Sequence, residues 1–138
     1  MVVIDRNTKE NNRFSFVARL KSANHAWRGI GIVFKTTHNL WLQIAFATLA
    51  VYIGFVLSIS ITEWLFLVFA IGIVIITETL NTAFEIDIDL TSPEFHPYAR
   101  DTKDIAAGAV LLSVILAIII GGIIFIPKIL IIFNNLFS

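Results

Sequence analysis

The chain has 138 residues, of which 57% are hydrophobic and 14% charged, and its formal net charge is zero. Soluble domains of this size carry about 25% charged residues, so the composition excludes an ordinary soluble domain and points to a membrane protein. There is no cysteine, which excludes disulfides, thiolate metal sites and a cysteine nucleophile; no nucleic-acid partner is expected.

Residues 1–12 are polar and without periodicity, and read as a loosely held tail. No cleaved signal peptide is expected, because an early apolar stretch is missing. From residue 13 to 35 the pattern changes. Phe14, Val17, Leu20, Trp27, Ile30 and Phe34 recur near helical spacing, and Lys21, Arg28 and Lys35 repeat every seven residues on another side. This predicts an amphipathic helix in the membrane interface, cationic face toward the headgroups.

Three apolar runs follow, at about 40–59, 64–84 and 105–126. Each approaches the roughly 20 residues a spanning helix needs. Trp41 and Trp64 stand at the starts of the first two, as interfacial anchors do. Ser58 to Glu63 is a polar turn, and Leu90 to Asp104 reads as a loop broken by Pro93 and Pro97. Ala106, Ala107, Gly108 and Ala109 are small enough for close backbone approach. Pro127 is expected to end the third span, leaving an apolar tail over 127–138. The predicted fold is thus all-α: a surface helix and three transmembrane helices in one membrane domain over 13–128. Seven of the ten Lys and Arg residues precede position 36, and Arg100 and Lys103 lie between the second and third spans. The positive-inside rule puts the N-terminus and the 90–104 loop in the cytoplasm.

Glu78, Asn81, Glu85 and Asp89 follow one another at spacings of three, four and four. At about 100° per residue the three acids fall within roughly 40° of one another, with Asn81 beside them. Glu78 and Asn81 lie inside the second span, where ionisable groups are costly and a function is the default hypothesis. Glu85 lies about 10 Å further along the axis, near the headgroups, where it suits a hydrated cation such as magnesium. Glu78, deeper and partly desolvated, suits a general base. Arg100, Lys103 and Asp104 bring both signs of charge across the loop, and Lys103 suits a phosphate. Phosphoryl transfer to a hydroxyl at the membrane surface depends on such positioning and charge neutralisation. Each residue also has a purely structural reading, as an interhelical hydrogen bond or a headgroup-level ion pair. His25, His38 and His96 form no metal pattern, and there is no glycine-rich nucleotide loop.

ETLNTAFEIDIDL, followed by HPYARDTKDIAAGAVLL, closely resembles the signature of the bacterial integral-membrane diacylglycerol kinase family, which includes the undecaprenol kinases. The likeness covers roughly 13–128 and continues more weakly upstream through Lys21, Trp27, Arg28, Gly29 and Asn39. It implies a homotrimer with active sites between subunits, ATP with magnesium, and γ-phosphate transfer to a lipid hydroxyl at the cytoplasmic face of the bacterial plasma membrane. It implies Glu78 as catalytic base with Asn81 as its neighbour, and Glu85 as magnesium ligand. Lys103, Asp104 and Asp89, with Lys21 and Arg28 upstream, fall on the nucleotide side. His96-Pro97, the DIAAGAVLL run and Pro127-Lys128 resemble the undecaprenol kinase branch more than the diacylglycerol branch.

One position departs from the family pattern. A second metal-binding Glu is expected before the first span, and Thr37 stands there, in KTTHN. Thr is a neutral and weaker ligand, so a weakened or silent member of the same fold is the alternative function. An ion pathway lined by Glu78 and Glu85 is a third possibility, disfavoured because one helix row makes no continuous path.

Overall fold

Once in hydrocarbon, a chain must satisfy every backbone N–H and C=O internally, and a helix does so within one segment. The computed structural model describes residues 16–137, and the order of elements follows that rule: α1 (Phe16–Thr36), α2 (His38–Val56), α3 (Ile61–Thr91) and α4 (Pro97–Phe137). The last three are long and apolar enough to cross a membrane. α3 has 31 residues, or roughly 46 Å at 1.5 Å per residue, which is longer than a hydrocarbon core of about 30 Å. It therefore carries its terminal turns out of the apolar layer.

The chain divides into two units, one up to Ile32 and one from Val33 onward. In the first, α1 presents Lys21, Arg28, Leu20 and Trp27 as exposed residues. The polar tail expected over 1–12 lies outside the described residues.

The second unit holds the spanning helices. Thr37 separates α1 from α2 as a single extended residue, and its N–H closes the last turn of α1 on Val33 O at 3.0 Å. The α2–α3 turn passes through Ser58 at φ 49°, then starts α3 with a reciprocal cap. Ser60 N–H donates to Glu63 Oε2 at 2.6 Å, and Glu63 N–H donates to Ser60 Oγ at 3.3 Å. Lys128 of α4 reaches the same carboxylate at 3.1 Å. Below this end lies a small core of Ile59, Leu67 and Ile124, flanked by Trp64, Ile120 and Phe125. Gly54 lets Trp64 pack against the α2 backbone, since a Cβ there would meet Trp64 Cη2 at 3.0 Å. α3 packs chiefly on α4 and less on α2.

Two expectations need correction. The helix that carries the second span continues past residue 84 to Thr91, where Thr91 Oγ1 bonds Asp87 O at 2.8 Å and Ser92 N–H bonds Ile88 O at 2.8 Å. The loop is accordingly not Leu90–Asp104 but residues 92–96. α4 begins at Pro97, whose missing N–H is harmless in a first helical turn, and Arg100 N–H bonds His96 O at 3.1 Å. Pro127 does not end the third helix either: α4 runs through it to Phe137. A proline costs one backbone bond, whereas unwinding in an apolar medium would orphan several. Among the small residues at the start of this helix, Gly108 has open space where its Cβ would be.

Candidate active site

The acidic row on α3 changes character along the helix. Glu78 is 2% exposed and Asn81 8%, whereas Glu85 and Asp89 are exposed. One face thus runs from the packed interior to the open end of the bundle, as the period of the helix and its length require.

The members of the row are held from three sides. Glu78 Oε2 accepts a hydrogen bond of 2.7 Å from Gln43 Nε2 on α2. Asn81 Nδ2 donates to Glu85 Oε1, one turn on, at 2.9 Å. Asp89 forms an ion pair with Lys103 of α4, joining the two helices across the 92–96 loop. Arg100 Nε and Asp104 Oδ2 are 3.7 Å apart on exposed side chains of the same helix. Buried beside this row are Gln43 Oε1 and Asn81 Oδ1, both without a hydrogen-bond partner.

Thr37 is brought to the same face of α3. Its Oγ1 lies 2.8 Å from Thr82 Oγ1, while Thr82 Oγ1 also bonds Glu78 O at 3.0 Å. A hydroxyl has one proton, so Thr82 spends its proton on Glu78 O and Thr37 donates to Thr82. Thr37 keeps its lone pairs. On the α4 side, Thr77 Oγ1 and Ser113 Oγ approach to 2.8 Å.

Between α2, α3 and α4 lies a groove of about 410 Å³, lined by residues such as Phe46, Ala50, Ile71, Val74 and Ile118. Gln43 is the single polar residue in its lining, so the groove and Glu78 meet at that side chain. Inspection of the sequence overlooked Gln43 and Thr82. The available signal was a lone carboxamide within an apolar run, where such a group needs a partner.

A family model described as prokaryotic diacylglycerol kinase matches residues 24–125. The chain belongs to the prokaryotic diacylglycerol kinase family. It is a membrane lipid kinase with several membrane-spanning helices. It is 40% identical over 119 residues to the undecaprenol kinase of Bacillus subtilis, covering 86% of this chain and 93% of that one. To the diacylglycerol kinase of Synechocystis it is 35% identical over 112 residues, covering 80% of this chain and 64% of that one. To the diacylglycerol kinase of Escherichia coli K12 it is 28% identical over 109 residues, covering 79% and 89%. The matched family segment includes Thr37, Gln43, the whole acidic row and Lys103–Asp104. Lys21 of α1 precedes it and Arg28 falls within it.

Proposed function

We propose that this lipid kinase transfers the γ-phosphate of ATP to the hydroxyl of undecaprenol, with Glu78 as general base. The observation that carries the reading is the buried Glu78 carboxylate, bonded to the one polar residue lining an apolar groove. A base in that setting suits a hydroxyl carried on a long hydrocarbon chain. The higher identity to an undecaprenol kinase than to the two diacylglycerol kinases supports the choice of lipid over diacylglycerol.

In the proposed reaction the lipid oxygen attacks the γ-phosphorus. A new O–P bond forms, the bond to the β-phosphate oxygen breaks, and ADP leaves with that electron pair. The hydroxyl proton passes to Glu78. The products are ADP and a lipid monophosphate. The rest of the nucleotide fits toward the exposed end of the row, where Lys103 supplies charge. Lys103, Asp104 and Asp89, with Lys21 and Arg28, are proposed for the nucleotide side.

Among the described residues no group of three His, Asp or Glu side chains forms a metal cage. Magnesium is usually held by one or two carboxylates plus substrate phosphates and water, and the donor set fits that description. Glu85, with one oxygen free of Asn81, and Thr37, with its lone pairs, are the proposed ligands. The ion would supply neutralisation of phosphate charge. A homotrimer and a cytoplasmic N-terminus complete the proposal. The small residues Ala106, Ala107, Gly108 and Ala109 of α4, with open space at Gly108, support close helix association in the membrane. The distribution of Lys and Arg supports the orientation.

Thr37 also favours a second reading, a weakened or silent member of the fold. Purified protein with labelled ATP and magnesium in mixed micelles decides between them, with undecaprenol and diacylglycerol offered side by side. Labelled undecaprenyl phosphate is expected. Labelled phosphatidic acid instead would reverse the choice of lipid. No product from folded protein that also fails to bind ATP would favour the silent reading.

A further inference from the structure

We infer that Gln43 is a positioning residue for phosphoryl transfer: its amide N–H fixes one carboxylate oxygen of Glu78 and so aims the other at the lipid hydroxyl. The inference rests on Glu78 being the base. Four observations carry it. The Gln43–Glu78 bond is short, at 2.7 Å, and spans two helices through residues 35 apart in the chain. Among the described residues Gln43 is the single hydrogen-bond partner of that carboxylate. The terminal torsion of a Glu side chain is broad, so burial does not set the plane of its oxygens, and a directional donor does. An amide donor to an ionised carboxylate is a charge-assisted bond of the stronger kind.

The other two observations weigh against a packing role. Gln43 Oε1 is buried with no partner, which is a standing cost of keeping a carboxamide there. Every other residue lining the groove is apolar or glycine, so a leucine would fill the groove equally well, and what it would lack is the bond to Glu78. A polar group retained at such a position, bonded to the proposed base, is accounted for by its effect on the base.

The test uses the full chain in mixed micelles, with kcat and KM measured for wild type, Gln43→Leu, Gln43→Asn, Glu78→Gln and the double variant Gln43→Leu/Glu78→Gln. A well-placed general base contributes about 10²- to 10⁴-fold. Gln43→Leu is expected to lower kcat by about 10- to 100-fold while the KM for ATP stays within about twofold. The double variant is expected to match Glu78→Gln alone, because a group acting through the carboxylate has no effect once the carboxylate is gone. Unchanged kcat in Gln43→Leu overturns the inference, as does a rise in KM for ATP as large as the fall in kcat. So does a double variant that loses the full factor of both. If Gln43→Leu does not fold, Gln43→Asn carries the same test, since it keeps the amide and withdraws it by one methylene. Activity retained in Glu78→Gln would remove the base reading itself. Activity lost in Glu78→Gln but kept in Gln43→Leu would remove only the role given to Gln43.

Discussion

Thr37 Oγ1 lies 2.8 Å from Thr82 Oγ1, and the proton between them comes from Thr37. The residue standing where the resemblance implies a metal-binding Glu is thereby tied to α3 one turn from Glu78. As N-cap of α2 it makes no side-chain capping bond, so replacing it leaves that helix start with the same backbone partners. Thr37→Glu is expected to lower the magnesium concentration for half-maximal activity by about tenfold, through an added carboxylate ligand. Glu85→Gln is expected to raise it by a similar factor. Magnesium titrations of both variants check this, and an unchanged requirement in both would remove these residues from the metal site.

Glu78→Gln keeps the size of the side chain. It is expected to remain folded and to lose at least about 10²-fold in kcat, the share usually supplied by a positioned base. Turnover of lipid by purified protein, alongside thermal melting, is the measurement. Full activity would reject the base.

Lys103 and Asp89 pair on side chains that are 37% and 68% exposed. Pairs of this kind contribute roughly 0–1 kcal/mol to stability, so Lys103→Met is expected to fold normally. Its expected effect is on ATP, with KM rising about tenfold for the loss of one cation on a phosphate. The KM for lipid is expected to stay near the wild-type value, and steady-state kinetics with each substrate varied separates the two.

Gly54 sits where Trp64 presses against α2, at the end of the bundle that holds Ile59, Leu67 and Ile124. Gly54→Val would force Trp64 aside. Overpacking of this kind costs about 1–3 kcal/mol, seen as a lower Tm. The acidic row lies toward the other end of α3, so kcat measured well below that Tm is expected to be nearly unchanged.

The helices and the acidic row were legible because their causes are local. Apolar runs of spanning length, Trp at their edges and a three-four-four spacing are properties of consecutive residues, and a helix lies over each run. The ends of those helices were less legible. Pro97 reads as part of a loop although it opens α4, and Pro127 reads as a break by the propensities of a water-exposed chain. In an apolar layer the requirement to satisfy backbone groups carries the helix through.

By itself the sequence determined the all-helical membrane class, the family signature and which face of the second span bears Glu78, Asn81, Glu85 and Asp89. Tertiary structure alone decided what each of them touches. Gln43 and Glu78 are 35 residues apart and Thr37 and Thr82 are 45 apart, and neither pair leaves a periodic trace along the chain. Helical periodicity reports which side a residue faces, but the packing of α2 on α3 fixes its height against a neighbour. That height brings Gln43 Nε2 to the Glu78 carboxylate, and it depends on contacts distributed over the whole bundle.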